Sequence, residues 1–124
     1  MLVGCSHLGV ARTVSEAERV LHGRVRLVIG GFHLAWAPRS RVVETVMELH
    51  SLGVEEAAPI HCSGSLVREA MEQMCPGMLL GAEAGDTVVV SASGGEGYPL
   101  PGVAFSPGPP VQAPGLGGCR WMRV

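Results

Sequence analysis

Three of the five histidines in this sequence each lie in a small-residue segment directly after a short apolar run. They are His7, His33 and His61. If the three apolar runs are neighbouring strands, these segments are turns at one edge of a sheet, and three imidazoles gathered there are typical of zinc, iron or manganese sites. A single loop histidine is more often solvated or hydrogen-bonded, but three equivalent placements favour a shared metal site.

The other two histidines have a structural interpretation. His22 and His50 fall in the last turns of predicted helices. A histidine near the carboxyl end of a helix interacts favourably with the helix dipole, so no further role is needed to explain it.

Two cysteines accompany the strand-end histidines. Cys5 lies two residues before His7, and Cys62 directly follows His61. These four residues match the ligand set of a Cys2His2 zinc site, but His7 and His61 lie 54 positions apart, which is too far for a zinc finger. A Cys–His nucleophilic pair at His61 and Cys62 is disfavoured, because adjacent side chains point apart if the strand conformation persists.

Small residues in the same three segments indicate a second role. They permit tight turns and close approach of the backbone to an anion at a helix amino terminus. We therefore assign a substrate- or anion-binding role to Ser6, Gly30, Gly31, Cys62, Ser63 and Gly64.

The elements that must position these residues form a pattern of strand, turn and helix that repeats three times. The predicted strands are Leu2–Val3, Val25–Ile29, Ala57–Ile60, Met78–Leu80 and Thr87–Ala92. The predicted helices are Val14–Leu21, Ser40–Leu52 and Leu66–Met74. We expect Ser15 and Glu18 to form a capping box on the first helix, Gly23 to end it, and Gly30–His33 to form a turn.

Alternation of strands and helices predicts an α/β fold with a partly parallel sheet. Ligands of such sheets bind just outside the carboxyl ends of the strands, where the three histidine-bearing turns would lie.

Length and composition exclude several classes of function. The 124 residues, 47% apolar with a net charge of −2, describe one domain that lacks the basic surface of nucleic-acid or anionic-membrane binding proteins. No apolar run approaches the roughly 20 residues that span a bilayer. Because Met1–Gly4 lacks the pattern of a signal peptide, we expect a cytoplasmic protein.

The last segment differs from the rest in composition. Residues 93–124 hold eight of the 18 glycines and six of the nine prolines. Such a segment buries too little apolar surface to offset its ordering entropy, so we expect a disordered tail after a domain at 1–92.

Three motifs in this domain resemble a known family. Leu2–Val10, Val28–Leu34 and Pro59–Gly64 are similar, in order and separation, to motifs of the dihydropterin ribofuranosyl-aminobenzene phosphate synthase-like subgroup of the metallo-β-lactamase fold. The resemblance covers 1–92. It implies a four-layer αββα sandwich with one or two divalent metals at one edge, zinc first, with manganese or iron as alternatives.

The resemblance also implies roles for single residues. His61 matches the late histidine that binds the second metal, and His7 or its neighbour Cys5 lies where the fold places its bridging ligand. His33 belongs to a motif of the subgroup and is assigned to the pocket, as a metal ligand or a substrate contact.

One family motif is absent. The His-x-His-x-Asp-His motif, which supplies most of the ligands, occurs nowhere in the 124 residues. We therefore expect the carboxyl-terminal half of the sandwich: a fragment of a metal-dependent hydrolase or pterin-related phosphate synthase that binds metal weakly, is inactive alone, and self-associates.

Two alternatives stay open. One is a metal-free module that binds an anion or a phosphate. The other is a half-domain that pairs with a separately encoded amino-terminal half and acts, once complete, on a small anionic substrate.

Overall fold

The computed structural model describes residues 1–83 and 85–90. Its strands are β1 (Leu2–Cys5), β2 (Leu27–Gly31) and β3 (Glu56–Ile60). Its helices are α1 (Val10–Leu21), α2 (Arg39–Ser51) and α3 (Ser65–Met74), with a short 3-10 helix at His61–Ser63.

The three strands form one sheet in the order β1-β2-β3, and both pairings are parallel. The predicted α/β class is confirmed. Each connection between neighbouring parallel strands contains a helix, and α1 packs against α2. Helix α3 packs on α2.

The hydrophobic core lies between this helix layer and one face of the sheet. Val28 of β2 and Ala57 of β3 are fully buried there, together with Val42 and Val46 of α2 and Met71 of α3.

Residues that alternate with the core positions lie on the opposite face of the sheet. On this face Leu27 and Ile29 are half-buried, Leu2, which pairs with Ile29, is 80% exposed, and the small residue Ala58, which also pairs with Ile29, is fully buried. Within residues 1–83 and 85–90, this face carries no covering helix.

The first helix begins four residues earlier than predicted. Val10 and Ala11 are already buried, and the Thr13 amide donates to the Gly9 carbonyl, so the helix starts as soon as the turn after β1 ends. The predicted capping box is wrong, because Ser15 lies inside the helix and Glu18 accepts a hydrogen bond from the Val25 amide.

The end of α1 also differs from the prediction. His22, with φ of 50°, takes the left-handed position expected for Gly23. Left-handed geometry is uncommon for a residue with a side chain, which is why the sequence favours the glycine.

The predicted turn at Gly30–His33 is too long. Gly30 and Gly31 are the last two residues of β2, where they pair with β3, and the turn begins at Phe32. The other predicted helices and the strand at Ala57–Ile60 agree with the structure to within one residue. Pro59 is compatible with β3 because that strand lies at the edge of the sheet.

Two later strand predictions are not confirmed. In Met78–Leu80 only Leu79 forms a bridge, to Ala57. Residues 87–90 form no strand, and 91–92 and the predicted tail at 93–124 lie outside the described residues. No helix among the described residues is long and apolar enough to cross a membrane.

Candidate metal site at the strand ends

The carboxyl ends of the three strands lie in register. Cys5, the last residue of β1, pairs with Gly31, the last residue of β2, and Gly31 pairs with Ile60, the last residue of β3. The segments that carry His7, His33 and His61 therefore leave the sheet side by side, as the α/β interpretation requires.

Three ligand-bearing side chains come together at this edge. The ligand atoms of Cys5, His61 and Cys62 all lie within 4.8 Å of one another. Cys5 and His61 are exposed, Cys62 is half-buried, and both cysteines are free thiols. Such a group is accessible to an ion from solvent.

The missing side chain of Gly31 makes this meeting possible. Cys5 is the last residue of β1 and Cys62 follows β3, and β2 lies between these two strands. A Cβ atom at Gly31 would lie 2.8 Å from Cys62 Sγ and 3.4 Å from Cys5 Cα. The Cys62 sulfur thus lies over the end of β2, in space that the side chain of any other residue at position 31 would fill.

The backbone at His61 turns Cys62 toward the group. His61 has φ of 53°, so the extended conformation of β3 stops at Ile60 and a 3-10 helix follows. The expectation that His61 and Cys62 point apart assumed a continuing strand, and it is wrong for that reason.

Backbone strain marks two of the three turns. Among the described residues, the non-glycine residues with positive φ are His22, His33 and His61. Left-handed geometry is disfavoured for side-chain-bearing residues and persists where surrounding contacts enforce it, often at functional sites. His33 and His61 both lie at the strand-end edge.

The remaining candidate ligands form a second group. The His7 and His33 rings lie 4.5 Å apart between centroids, and the Trp36 ring is 6.1 Å from His33. The three histidines therefore do not converge on one point. His61 joins the two cysteines, whereas the His7 ring lies against the His33 ring at a tilt of 51°.

The thiols of Cys5 and Cys62 interact directly. A hydrogen bond with the Cys62 side chain, then desolvation and the charge of Cys62, raise the pKa of the Cys5 thiol above its ordinary value. Without a cation, the pair favours a retained proton over two adjacent negative charges.

Ser63 joins the ends of β2 and β3. Its buried hydroxyl accepts a hydrogen bond from the Phe32 amide at 3.0 Å and donates one to the Ile60 carbonyl at 2.6 Å. This side chain, assigned from the sequence to anion binding, is engaged within the protein.

The turn after Ser63 packs closely on the segment after β2. The Leu34 and Ala35 amides both donate to the Cys62 carbonyl at 3.1 Å. Gly64 has φ of 77°, and a Cβ atom there would lie 2.7 Å from Ala35 Cα. These contacts fix the position of Cys62.

The other residues assigned to anion binding lie in the same region. Gly30 packs on Val3, since a Cβ atom at Gly30 would lie 2.0 Å from the Val3 carbonyl oxygen. The Ser6 hydroxyl is buried and has no hydrogen-bond partner within the described part of the chain.

The structure brings Cys62 into one group with Cys5 and His61, whereas the sequence assigned Cys62 to anion binding and included it among metal ligands only as part of a Cys2His2 set. The signal was present, because Ser63 and Gly64 favour a turn immediately after His61, and a turn allows neighbouring side chains to converge.

Comparisons with known proteins bear on this arrangement. No family model matches the chain. A curated protein of Methanocaldococcus jannaschii, 7,8-dihydropterin-6-methyl-4-(beta-D-ribofuranosyl)-aminobenzene-5'-phosphate synthase, is 40% identical over 62 residues, which is 49% of this chain. A solved structure of a metal-dependent hydrolase of the β-lactamase superfamily superposes with a TM-score of 0.68 and 28% identity over 73% of this chain.

The resemblance to the dihydropterin synthase-like subgroup is confirmed. The matched part is small relative to both proteins. It spans 21% of the length of the synthase and 36% of the length of the hydrolase.

Proposed function

We propose that this chain forms one side of the active site of a metal-dependent hydrolase or pterin-related phosphate synthase of the metallo-β-lactamase fold. Cys5, His61 and Cys62 bind a divalent metal there. The observation that carries this proposal is the convergence of their ligand atoms to within 4.8 Å. The similarity to a metal-dependent hydrolase supports it independently.

The chemistry of these donors fits zinc best. Thiolate and imidazole are common zinc ligands, whereas manganese favours oxygen ligands. With Zn–S bonds of about 2.3 Å, two sulfur ligands of a tetrahedral zinc lie about 3.8 Å apart. The two sulfurs already lie within 4.8 Å of each other, so they need to approach by at most about 1 Å to reach that spacing. Three protein ligands leave a fourth position for water or substrate, as in catalytic sites.

A bound metal would supply Lewis acidity and activate a water molecule at this edge. The chain's own residues supply the rest of the environment. His7 and His33 lie beside each other and can bind an anionic group or carry a proton. A small anionic substrate is therefore the class that we propose.

The group of three lacks a carboxylate. Hydrolysis in two-metal sites uses more ligands than three, so we propose that this chain is inactive alone and needs further ligands from another polypeptide segment. The face of the sheet that carries Leu2, Leu27 and Ile29 is where that segment would pack, since it is apolar and has no covering helix among the described residues.

A second candidate function is anion binding without metal. Ser6, which precedes His7 in the turn after β1, favours it. Its buried hydroxyl has no hydrogen-bond partner in the described part of the chain, so it is left to donate to a bound anion. Phosphate binding that persists in a chelator and is lost in Ser6→Ala would select this alternative.

Metal titration of the full chain tests the main proposal. Isothermal calorimetry is expected to show Zn²⁺ binding that His61→Ala weakens by more than about 100-fold. Loss of a residue that only hydrogen-bonds to a metal ligand costs about 10- to 100-fold in affinity, so a larger loss indicates direct ligation. Cys62→Ser is expected to weaken it similarly.

His22→Ala is the matched control. His22 is also exposed and also has positive φ, at 50° against 53° for His61, but it lies at the end of α1. Both variants place alanine at a position with positive φ, so the backbone effects are matched and loss of a metal ligand is what separates them. Equal Zn²⁺ affinity in the two variants would contradict the proposed site.

A further inference from the structure

The two sulfurs of the strand-end group lie close enough to react with each other. Cys5 Sγ and Cys62 Sγ are within 4.8 Å, and both thiols are free. A disulfide bond is about 2.05 Å long, so rotation of the two side chains has to close the gap. Gly31, which lies between the two cysteines, adds no side chain there.

We propose that Cys5 and Cys62 form a reversible disulfide, and that this oxidation and metal binding exclude each other. The mutual exclusion of oxidation and metal binding rests on the proposed function, because both sulfurs are ligands in the proposed metal site. A sulfur in a disulfide carries no thiolate charge and no longer binds Zn²⁺ as a thiolate does.

The difference in exposure sets the order of events. Cys5 is exposed, whereas Cys62 is half-buried over Gly31. An oxidant from solvent therefore meets Cys5 first, and Cys62 is the resolving thiol.

The reaction balances with a small disulfide such as oxidised glutathione as the oxidant. The Cys5 thiolate attacks one glutathione sulfur, forms a mixed disulfide and releases one glutathione thiolate. The Cys62 thiolate then attacks the Cys5 sulfur and releases the second glutathione. The protein loses two electrons and two protons, and oxidised glutathione becomes two molecules of reduced glutathione.

Peptide mapping by mass spectrometry on the full chain tests the disulfide itself. After treatment of the metal-free chain with oxidised glutathione, we expect a cross-linked pair of peptides that contain Cys5 and Cys62, and its loss on reduction with dithiothreitol. Absence of the cross-link, with both thiols recovered by alkylation, would overturn the proposal.

Two single variants test the order. Cys62→Ser is expected to trap glutathione on Cys5, because the resolving thiol is gone. Cys5→Ser is expected to leave Cys62 largely unmodified. Equal modification of the remaining cysteine in both variants would contradict the assignment of Cys5 as the first thiol.

Zn²⁺ tests the competition separately. At a free Zn²⁺ concentration 100 times Kd, mass action predicts that cross-linking slows by about 100-fold. Cross-linking that Zn²⁺ does not slow would refute the competition and the proposed metal ligands but leave the disulfide standing. Tight Zn²⁺ binding without any cross-link in the metal-free chain would refute the disulfide alone.

Discussion

The sulfur of Cys62 occupies the space that a side chain on Gly31 would fill, since a Cβ atom at Gly31 would lie 2.8 Å from it. A residue of the central strand thus decides whether side chains from the two outer strands can meet. The glycine matters here for its size, because its φ does not lie in the left-handed region.

Gly31→Ala is therefore expected to weaken metal binding while the fold is retained. The added methyl group displaces the Cys62 sulfur, and we expect a loss of about 10- to 100-fold in Zn²⁺ affinity, as for changes that misplace a ligand. Calorimetric titration measures it. Gly4→Ala in β1 is the control, since a Cβ atom there meets nothing within 4 Å. Unchanged Zn²⁺ affinity in Gly31→Ala would show that the Cys62 sulfur does not need the space beside Gly31 to bind the metal.

Ser63→Ala is expected to lower the free energy of unfolding by about 1–3 kcal/mol. The substitution leaves the buried Phe32 amide without its acceptor and removes the tie to the Ile60 carbonyl. Urea denaturation followed by circular dichroism measures the change. Ser51→Ala, at an exposed hydroxyl that bonds to Glu48 in its own helix, is expected to change little. Equal losses in the two variants would contradict the structural role of Ser63.

The sequence specified the order of the elements but not the details of the site. Apolar periodicity identified the helices and the first three short apolar runs identified the strands of the sheet, because both patterns follow from burial, whereas the runs at Met78–Leu80 and Thr87–Ala92 were not confirmed as strands. The start of α1 was missed, since Ser15 and Glu18 satisfy a local capping rule that the burial of Val10 and Ala11 overrides.

The composition of the strand-end group could be predicted only in part. Parallel strands bring their carboxyl ends together, so Cys5 and His61 were placed correctly at one edge of the sheet. Cys62 was assigned to anion binding and considered as a metal ligand only within a Cys2His2 set, because its direction depends on the left-handed backbone at His61 and on the missing side chain of Gly31. Ser63 and Gly64 indicate a turn after His61, but the position of the Cys62 sulfur over Gly31 is a tertiary feature that no local pattern specifies.

The face of the sheet opposite the helices leads to a prediction about association. Leu2 is 80% exposed and Ile29 half-buried, and large apolar patches are rare on monomeric proteins. We expect the isolated chain to self-associate and to bind a hydrophobic dye.

Ile29→Lys is expected to reduce both effects and keep the fold, because this side chain does not face the core. Val28→Lys, one residue away and fully buried, is expected to unfold the chain. Light scattering and dye fluorescence measure the outcome. A monomeric wild-type chain that binds no dye would contradict the uncovered face.

X-ray absorption spectroscopy of the zinc-loaded chain tests the central claim most directly, because it reads the ligand atoms themselves. We expect one Zn²⁺ per chain with two sulfur ligands at about 2.3 Å and one imidazole nitrogen at about 2.0–2.1 Å. The sulfur signal should fall by half in Cys62→Ser, and the imidazole signal should disappear in His61→Ala. A zinc shell made only of nitrogen and oxygen would show that Cys5 and Cys62 do not bind the metal and would contradict the proposed site.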